Sequence, residues 1–246
     1  MTDLDLDGPI VTALKNPNIG TRFDDAMKGW IACAKMNKLN PAELRSLLSN
    51  PNLVTNNYNP THLLHDIGEL YDIIPAGAGR EGFETAVRQL RNNQAGNQVM
   101  YALGRRNEIQ LAANINRAPA GSALAGFKPV TGMSERIKYS DDGFISKRPG
   151  GGVPAQGTEI DIRGGNGFLL NAKTSIPDEP DVLRRAENWV HAAVKKATEE
   201  GASNPYAKVK FIVNDVEMVP AGLREPLQNL ATDNGLSGWR AFFVQP

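Results

Sequence analysis

The sequence predicts an α/β (α+β) protein in which a helical N-terminal region is followed by a mixed sheet flanked by helices. Apolar residues first recur at helical spacing. From Phe127 onward, short strand-like runs alternate with turn residues. Two of these runs, Gly157–Ile162 and Phe168–Lys173, are joined by the glycine-rich segment Arg163–Gly167, which is typical of a β-hairpin. We therefore expect a helical region over residues 1–95 and a sheet-containing domain over residues 96–246.

Helices account for the predicted N-terminal region. Thr21-Arg-Phe-Asp24 resembles a capping box with Asp in place of the usual Glu, so a helix is expected from Phe23 to Lys38. Pro75–Gly79 predicts a flexible break. The other predicted helices are Pro41–Leu48, His62–Ile74 after a Thr61 cap, Phe83–Arg91 and Gln98–Ile115.

Strands and helices alternate in the predicted sheet domain. Phe127–Ile145 is expected to form one or two strands with turns at Thr131-Gly132 and Asp141–Gly143, and Lys147–Gln156 is a Gly/Pro-rich loop. Pro180 suits the first turn of a helix that Gly201 would end. The elements predicted after the hairpin are this helix, Pro180–Glu200, a strand at Val209–Val213, a helix at Ala221–Ala231 and a strand at Trp239–Val244.

The composition is that of an ordinary soluble globular protein. The 246 residues are 41% hydrophobic and 22% charged, with a formal net charge of zero. Between Arg105 and Lys173 there are ten basic and six acidic residues, a local excess of positive charge that suits a phosphate-rich partner. The single cysteine, Cys33, excludes an internal disulfide and a cysteine-based zinc site.

No targeting or membrane segment is expected. The N-terminus is acidic, with Asp3, Asp5 and Asp7, and lacks the basic and apolar regions of a signal peptide. No apolar run approaches membrane-spanning length. The sequence therefore predicts a cytoplasmic site of action, and it leaves open that the chain is part of a larger exported protein.

Carboxylate, amide and ammonium groups meet on the predicted hairpin. Side chains of a strand alternate between the two faces of a sheet. Glu159 and Asp161 therefore share one face of the first strand, and Asn171 and Lys173 share one face of the second. If the hairpin closes in the right register, the four polar groups lie together. Unpaired buried charge is unfavourable, and binding a cation is one way to stabilise such a cluster.

The hairpin resembles the catalytic motif of the PD-(D/E)xK nuclease superfamily. In that superfamily, an Asp on one strand is followed across a hairpin by an acidic residue, any residue and Lys. Asp161 and Lys173 match the outer positions, whereas Asn171 replaces the acidic residue and Ile160 replaces the proline that often precedes the Asp. The order of elements also matches over roughly Gln98–Pro246. The resemblance implies a restriction-endonuclease-like fold.

Glu108 is a further residue that the resemblance assigns to the site. Members often carry a Glu on the helix before the sheet, directed at the metal. Glu108 lies at helical spacing from Leu111 and Ile115, so it belongs to the apolar face of its predicted helix, where a carboxylate needs a partner. We favour metal support as its role, and the alternative is a salt bridge to Arg105 or Arg185.

The resemblance implies a site for Mg²⁺ or Mn²⁺, hard cations that take oxygen ligands. Asp161 would be the central ligand, with Glu108 bound directly or through water and the backbone carbonyl of Ala172 as a third ligand. Lys173 would polarise the attacking water and stabilise charge on the phosphate. Asn171 offers a neutral oxygen, which attracts a cation less strongly than a carboxylate does.

Other polar residues near the motif are candidates for supporting roles. Glu159, on the same face as Asp161, is a candidate additional acid, and the alternative is a solvent-facing strand residue. The candidate substrate-binding residues are Arg105, Arg185, Thr174 and Ser175.

These residues together predict a metal-dependent endonuclease that hydrolyses phosphodiester bonds of tRNA or DNA. By family analogy, a nuclease of this size suggests the toxin part of a bacterial competition system, exported within a larger toxin and paired with a cognate immunity protein. The non-enzymatic alternative is a nucleic-acid- or protein-binding module that retains the nuclease fold. Asn171 favours this alternative, whereas Glu108 and Lys173 oppose it.

His65-Asp66 supplies a less favoured alternative, because this dipeptide resembles the centre of HD-type phosphohydrolases. Those enzymes need another His upstream and a further Asp or His downstream. The chain has three histidines, of which His62 is one turn away and His191 is on a different predicted helix. One His and one Asp hold a metal poorly. A pair of histidines on the helix surface is therefore the preferred interpretation.

Overall fold

The computed structural model describes residues 28–29, 31–33, 58, 60–90, 97–138 and 157–246. These residues form two compact units, divided between Ala113 and Asn114. The residues described between 28 and 33 are helical. The remainder of the predicted helix Phe23–Lys38, the predicted helix Pro41–Leu48, the turn Asp141–Gly143 and the loop Lys147–Gln156 lie outside the described residues.

The first unit is helical in the part that the structure describes. Its helices are α1 (Pro60–Ile73), α2 (Ala78–Gln89) and the first part of α3 (Asn97–Arg117), which continues into the second unit. These helices confirm three predictions. The start of α2 at Ala78 rather than Phe83 was not predicted, because its first turn contains no large apolar residue.

Glycine lets α1 approach the helical residues around Gly29 closely. A Cβ at Gly29 would lie 1.7 Å from the carbonyl oxygen of Leu64, and a Cβ at Gly68 would lie 2.7 Å from the backbone nitrogen of Gly29. Neither distance is possible for a real side chain, so the two backbones require glycine at this crossing. The buried face of α1 around it contains Leu63, Ile67 and Leu70.

A break between α1 and α2 is confirmed, although it ends at Gly77 and the predicted break residues Ala78 and Gly79 already belong to α2. Gly77 has φ +123°, a conformation that favours glycine. Arg80 reaches back to the end of α1, where its Nε donates to the carbonyl oxygen of Ile74 at 2.8 Å and its guanidinium carbon lies 4.1 Å from the centre of the Tyr71 ring. The arginine therefore satisfies a carbonyl that the ending helix leaves without an intrahelical partner.

Within the described residues, a five-stranded mixed sheet organises the second unit. The strands lie in chain order, with β1, β2 and β3 antiparallel and β3, β4 and β5 parallel. The mixed sheet and the helices confirm the predicted α+β class. The strands are β1 (Gly132–Lys138), β2 (Gly157–Arg163), β3 (Leu169–Ala172), β4 (Val209–Ile212) and β5 (Phe243–Val244).

Two helices, α4 (Pro180–Glu199) and α5 (Ala221–Asp233), make the parallel connections and share a core with the sheet. This core includes residues of both helices and of all five strands: Ile137, Ile160, Leu169, Trp189, Val190, Phe211, Leu223, Leu227 and Phe243. The predicted helix stop at Gly201 is confirmed. Gly201 has φ +79°, and the Ala202 amide donates to the Ala197 carbonyl at 3.0 Å, as in a Schellman motif.

Two expectations for this unit were wrong in detail. Gly132 begins β1 instead of forming a turn, and the Thr131 amide already donates to the Arg163 carbonyl at 2.8 Å. Most of the predicted last strand is a 3₁₀ turn, Trp239–Phe242, and only Phe243–Val244 pairs with β4. Lys210 of β4 stabilises this turn, because its ammonium donates a hydrogen bond to the carbonyl of Ala241. The local sequence does not reveal this tertiary bond.

Four charged residues form an ionic network beside the sheet. Arg163 donates to Glu135 at 2.8 Å and to Glu200 at 2.7 Å, and Lys196 lies 3.5 Å from Glu135 and 3.1 Å from Glu200. Although burial alone would lower the pKa of Arg163, hydrogen bonds to Glu200 and Glu135 raise it. Although burial alone would raise the pKa of Glu200, Arg163 and Lys196 lower it. The network ties β1 and β2 to the end of α4.

Candidate functional site

The predicted hairpin closes and positions the motif residues. Arg163 pairs with Leu169, and the Gly164 amide donates to the Phe168 carbonyl at 2.9 Å. Gly167 adopts a left-handed conformation with φ +75°, and a Cβ at Gly165 would lie 2.1 Å from the carbonyl oxygen of Lys128. The turn thus needs glycine both for conformation and for space.

Asp161, Ala172 and Lys173 lie together, as predicted. Asp161 is 6% exposed, and its Oδ2 accepts a hydrogen bond from the Ala172 amide at 2.8 Å. The ammonium of Lys173 lies 3.9 Å from the same oxygen, and its side chain is 47% exposed. The end of β3 therefore carries a buried carboxylate, an amide that donates to it and an ammonium beside it. The lysine that bears this ammonium reaches solvent.

Glu159 also lies beside Asp161. One carboxylate oxygen of each residue lies within 4.8 Å of the other. The backbone carbonyl of Glu159 accepts a hydrogen bond from Trp189 Nε1 at 2.8 Å, which fixes this part of β2 against α4. Two carboxylates at such a separation can ligate one hard cation. The prediction that Glu159 and Asp161 lie together is confirmed.

The regular alternation of β2 is interrupted at Asp161. Register pairs join Glu135 to Ile160 and Met133 to Ile162, with Ser134 between them at φ +51°. Ile160 packs in the core with α4, and Arg163 also binds residues at the end of α4. Strict alternation would put positions 160 and 163 on opposite faces. The side of the sheet that β2 residues face therefore changes between Ile160 and Arg163, opposite the left-handed backbone of Ser134.

A cleft of about 310 Å³ lies next to these residues, between the sheet and α4. Asn171 and Lys173 are the motif residues in its wall, and Lys173 connects it to Asp161. The polar wall consists of Thr158, Asn171, Lys173, Ser175 and Arg185, and the apolar wall consists of Ile176, Pro177, Val182, Ala186, Trp189 and Phe211.

Asn171 is the least satisfied polar residue of the cleft. It is 5% exposed, and its Oδ1 accepts no hydrogen bond from any described residue. It pairs in register with Phe211 of β4, whose side chain is buried. A buried acceptor without a donor is rare in folded proteins and points to a missing partner. The neighbouring strand does not supply that partner.

The predicted substrate-binding residues fall into different places. Arg185 and Ser175 line the cleft, and Arg185 Nε also donates to the Asp181 carbonyl at 3.1 Å. Thr174 is exposed just after β3, where its carbonyl accepts from the Asn214 amide at 3.4 Å. Arg105 is on α3 in the first unit.

Glu108 has the ionic partner that was considered as the alternative to a metal. Its Oε2 accepts from Arg105 at 2.6 Å, and Arg105 also donates to Gln89 at 2.6 Å. This ion pair explains how a half-buried carboxylate is stabilised on α3. A role for Glu108 at the metal stays a prediction.

The rival His65-Asp66 pair lies in the first unit. Asp66 is 2% exposed and accepts from the Tyr58 hydroxyl at 2.7 Å, with His65 Nδ1 at 3.4 Å. Glu69 is close enough for the three side chains to hold an ion. The short tyrosine bond gives Asp66 a structural role as the acceptor for a buried hydroxyl.

The apolar floor of the cleft was not predicted. Trp189 and Phe211 pack with ring centres 4.8 Å apart. The signal was present in α4, because Arg185 and Trp189 are four residues apart and therefore share one side of the helix. Its meaning depended on β4, whose position relative to α4 only the fold provides.

Comparisons of the chain with protein-family models, with curated proteins and with solved structures found no match. Among the described residues, no helix has the length and apolar character needed to cross a membrane.

Proposed function

We propose that the protein is a metal-dependent nuclease that hydrolyses phosphodiester bonds in tRNA or DNA. The observation that carries the proposal is the contact of Asp161 with the Ala172 amide and the Lys173 ammonium at distances of 2.8 and 3.9 Å. This grouping matches the resemblance at its two outer positions. A carboxylate and a solvent-reaching ammonium on adjacent strands suit a reaction on an anionic substrate.

The proposal includes a restriction-endonuclease-like arrangement of the sheet. The order of α3, β1, β2, β3, α4, β4, α5 and β5 supports it, as does the mixed pairing with an antiparallel hairpin followed by parallel strands. In this order β3 is the middle strand, so its end is flanked by structure on both sides. A central strand end is a rigid support for catalytic groups.

The residues present fit a hard divalent cation. Asp161 and Glu159 offer carboxylate oxygens within 4.8 Å of each other, and oxygen donors are what Mg²⁺ and Mn²⁺ prefer. Asp161 would hold the ion, with Glu159, Glu108 and the Ala172 carbonyl as the further candidate ligands. When bound, the ion would lower the pKa of a water molecule and neutralise charge on the phosphate.

Lys173 would act on the substrate. Its ammonium is near Asp161, yet almost half of the side chain is exposed, so a phosphate can reach it from solvent. There it would bind a phosphate oxygen and stabilise the negative charge that develops during attack by water. Asp161, held by the Ala172 amide, would keep the lysine directed at the reacting phosphate.

The second candidate function is a nucleic-acid- or protein-binding module without turnover. Asn171 favours it, because an amide stands where related nucleases have an acid, and its Oδ1 lies in the wall of the cleft beside Phe211. The same residue can serve substrate binding in an active nuclease. Turnover therefore distinguishes the two functions.

The test is a cleavage assay with the purified 246-residue chain on tRNA, single-stranded DNA and duplex DNA, with Mg²⁺, Mn²⁺ or chelator. Cleavage that needs metal and is lost in Asp161→Asn supports the nuclease. The matched control is Asp233→Asn, an exposed carboxylate at the end of α5. Cleavage that is retained in Asp161→Asn would overturn the proposed site in favour of other residues. Binding of nucleic acid without cleavage of any substrate would overturn the nuclease in favour of a binding module.

Use as a toxin that acts in the cytoplasm is an extension of this proposal by analogy. Cytoplasmic expression in bacteria should then arrest growth, whereas Asp161→Asn should not. A cognate immunity protein would restore growth in the wild-type strain. Normal growth at equal expression of the two proteins would contradict a toxin role while leaving the cleavage assay to decide the chemistry.

A further inference from the structure

Ser134 of β1 lies opposite Asp161 of β2 in an uncommon backbone conformation. The register pairs that flank these two residues are Met133 with Ile162 and Glu135 with Ile160. Ser134 is buried and has φ +51°. A left-handed backbone is uncommon for a serine, and it is unfavourable unless neighbouring structure holds it in place. The pairing around Ser134 must therefore maintain this conformation.

Both strands change the side of the sheet that they present at this point. Glu135 lies 3.5 Å from a lysine of α4, and Ile160 packs in the core that α4 shares with the sheet. Two positions away, Met133 and Ile162 are fully buried but lie outside that core. Regular alternation would keep residues two apart on one face. Paired residues of an antiparallel sheet share a face, so the change in β2 requires the same change in β1.

The left-handed residue of this strand pair is on β1. No residue of β2, which is described throughout, has a positive φ. Ser134 therefore carries the backbone conformation that L residues rarely adopt, directly opposite the carboxylate residue of the candidate site.

The change of face gives Asp161 its contact with β3. The ladder between β2 and β3 reaches the pair of Ile162 with Leu170. If the ladder continued regularly, the Ala172 amide would donate to the Ile160 carbonyl. It donates instead to Asp161 Oδ2 at 2.8 Å. The carboxylate therefore takes the place of a backbone acceptor between the two strands.

We propose that Ser134 is a positioning residue of the candidate metal site. Its left-handed backbone maintains the change of face that holds the Asp161 carboxylate between β2 and β3. The role belongs to the backbone conformation and not to the hydroxyl. This inference rests on the proposed nuclease function, because Asp161 is the residue proposed to hold the metal. The positioning itself can be measured without metal.

Hydrogen exchange of the Ala172 amide reports the position of the Asp161 carboxylate. The measurement is amide exchange by NMR on the 246-residue chain in chelator, without substrate. Asp161→Ala calibrates it, and exchange should be about tenfold faster there, because the amide loses a charged acceptor. The internal reference is the Lys173 amide, which donates to the Ile212 carbonyl of β4 at 2.9 Å and should not change.

Two variants of Ser134 separate its backbone from its hydroxyl. Ser134→Thr keeps the hydroxyl but adds a β-branch that disfavours a positive φ, so exchange at Ala172 should become about tenfold faster. Ser134→Gly removes the hydroxyl but adopts this conformation readily, so the exchange rate should stay within about twofold of the wild type. Slow exchange kept in Ser134→Thr, or lost in Ser134→Gly, overturns the inference.

A smaller substitution serves if Ser134→Thr does not fold. Ser134→Ala and Ser134→Gly both lack the hydroxyl, and only alanine has the Cβ that disfavours a left-handed backbone. Exchange at Ala172 should then be faster in the alanine variant than in the glycine variant. Equal rates in the two variants overturn the inference.

The matched control is Asn166→Thr, which places the same β-branched residue at another left-handed position. Asn166 has φ +55° and lies in the turn between β2 and β3. The variant should lower the Tm without speeding exchange at Ala172 relative to Lys173. If Asn166→Thr sped exchange at Ala172 as much as Ser134→Thr, general loss of stability would explain both, and the role of Ser134 would be overturned.

Mn²⁺ binding connects the positioning to the proposed function. Calorimetry should show about tenfold weaker Mn²⁺ binding in Ser134→Thr, because residues that orient a metal ligand affect affinity to this extent, and wild-type affinity in Ser134→Gly. Unchanged affinity in Ser134→Thr would overturn a role at the metal.

Failure of this inference is distinguishable from failure of the nuclease. If the exchange rates follow the prediction but the wild type neither binds Mn²⁺ nor cleaves, Ser134 positions Asp161 and the nuclease is wrong. If the wild type cleaves with metal but Ser134→Thr leaves exchange at Ala172 unchanged, the nuclease stands and the positioning role is wrong.

Discussion

Asp161 is buried in a sheet, yet its carboxylate lies beside polar groups: an amide, an ammonium and the carboxylate of Glu159. Its carboxylate accepts from an amide at 2.8 Å and has an ammonium at 3.9 Å, two contacts that favour the charged form. Such an arrangement is unfavourable in a strand that serves packing alone, because an apolar residue would fill the same space. The polar grouping is therefore better explained by a function than by stability.

Lys173 tests whether that function is catalytic. Lys173→Ala should lower the cleavage rate by two to three decades, the loss of roughly 3–4 kcal/mol of transition-state stabilisation by one charged donor. Its side chain is 47% exposed, so the unfolding free energy should change little. Single-turnover cleavage and urea unfolding measure the two quantities.

The control for this variant is Lys195→Ala, an exposed lysine on α4 outside the cleft. It removes the same charge and should leave the cleavage rate unchanged. A wild-type rate in Lys173→Ala would show that the lysine is structural, and an equal loss in both variants would indicate a general electrostatic effect.

Asn171 tests whether the amide serves the metal or the cleft. Asn171→Asp should keep or raise metal-dependent activity if the position supports the ion, because a carboxylate attracts a hard cation more strongly than an amide. Asn171→Leu should lower activity and raise stability by about 1 kcal/mol, since it removes an unsatisfied buried acceptor. A metal titration of activity and a thermal melt of both variants give the answer.

Unchanged metal dependence in Asn171→Asp and Asn171→Leu would remove the residue from the metal site. A fall in stability in Asn171→Leu would show that the amide has a structural partner. Either result leaves Asp161 with Glu159 and Glu108 as the candidate acidic ligands.

Individual residues were predictable where local pattern determines position. The hairpin register brings Asp161 and Lys173 together because a glycine-rich turn joins two short strands. The open acceptor of Asn171 was not predictable, since it depends on which residues of α4 and β4 cover the strand. The alternation of side chains between the two faces of the sheet is also irregular near Asp161. Its cause, the positive φ of Ser134, lies on the partner strand and was not visible in the sequence of β2.

The ionic network joins the end of α4 to β1 and β2. Its contribution to stability should depend on pH. The pKa of Glu200 is lowered below its ordinary value of 4.5, because Arg163 and Lys196 outweigh the effect of burial. A carboxylate with a lowered folded pKa stabilises the protein above its unfolded pKa, and this contribution disappears as the pH falls through the folded value. The contribution of Glu200 should therefore be complete at pH 7.

Glu200→Gln should reduce the unfolding free energy at pH 7 by less than about 1 kcal/mol, because a third of the side chain is exposed and solvent screens the pair. The difference from wild type should shrink as the pH falls below 4.5, the ordinary value for Glu. Urea unfolding at several pH values measures it. The control is Glu199→Gln, at the same end of α4. If the difference in unfolding free energy between Glu200→Gln and the wild type did not change with pH, the ionic role of Glu200 would be contradicted.

Elements were predictable to the extent that their boundaries are local. The ends of α4 follow from Pro180 and Gly201, which act through the backbone of the helix itself. The last predicted strand was wrong because Trp239–Phe242 form a 3₁₀ turn, which is bonded to Lys210 of the neighbouring strand β4, about thirty residues earlier in the chain. The segment Trp239–Val244 has the aromatic and β-branched residues that are typical of a strand. Pairing with a neighbouring strand, which composition does not determine, decides which of them join the sheet.

The architecture as a whole was predictable at the level of class. The change from helical to strand-like patterning matches the helices in the described part of the first unit and the sheet in the second. The division between them falls within α3, whereas the sequence suggested a boundary near residue 95. A helix that continues without a break carries no Gly/Pro signal at such a division.

Binding of a metal to the full chain should be visible without any substrate. An ion that binds only the folded state raises the unfolding free energy by about 2.7 kcal/mol at a concentration of 100 Kd. Mg²⁺ or Mn²⁺ should therefore raise the Tm of the wild type, and a chelator should reverse the increase. The increase should disappear in Asp161→Asn, whose neutral amide attracts the cation less.

Glu108→Gln asks whether α3 takes part. If Glu108 contributes a ligand, the metal-induced rise in Tm should be smaller than in the wild type, and a higher metal concentration should be needed for half of the effect. If the ion pair with Arg105 is its whole role, the variant should lower the Tm equally with and without metal. A full metal-induced rise in Asp161→Asn would place the ion elsewhere, for which His65, Asp66 and Glu69 are the next residues to replace.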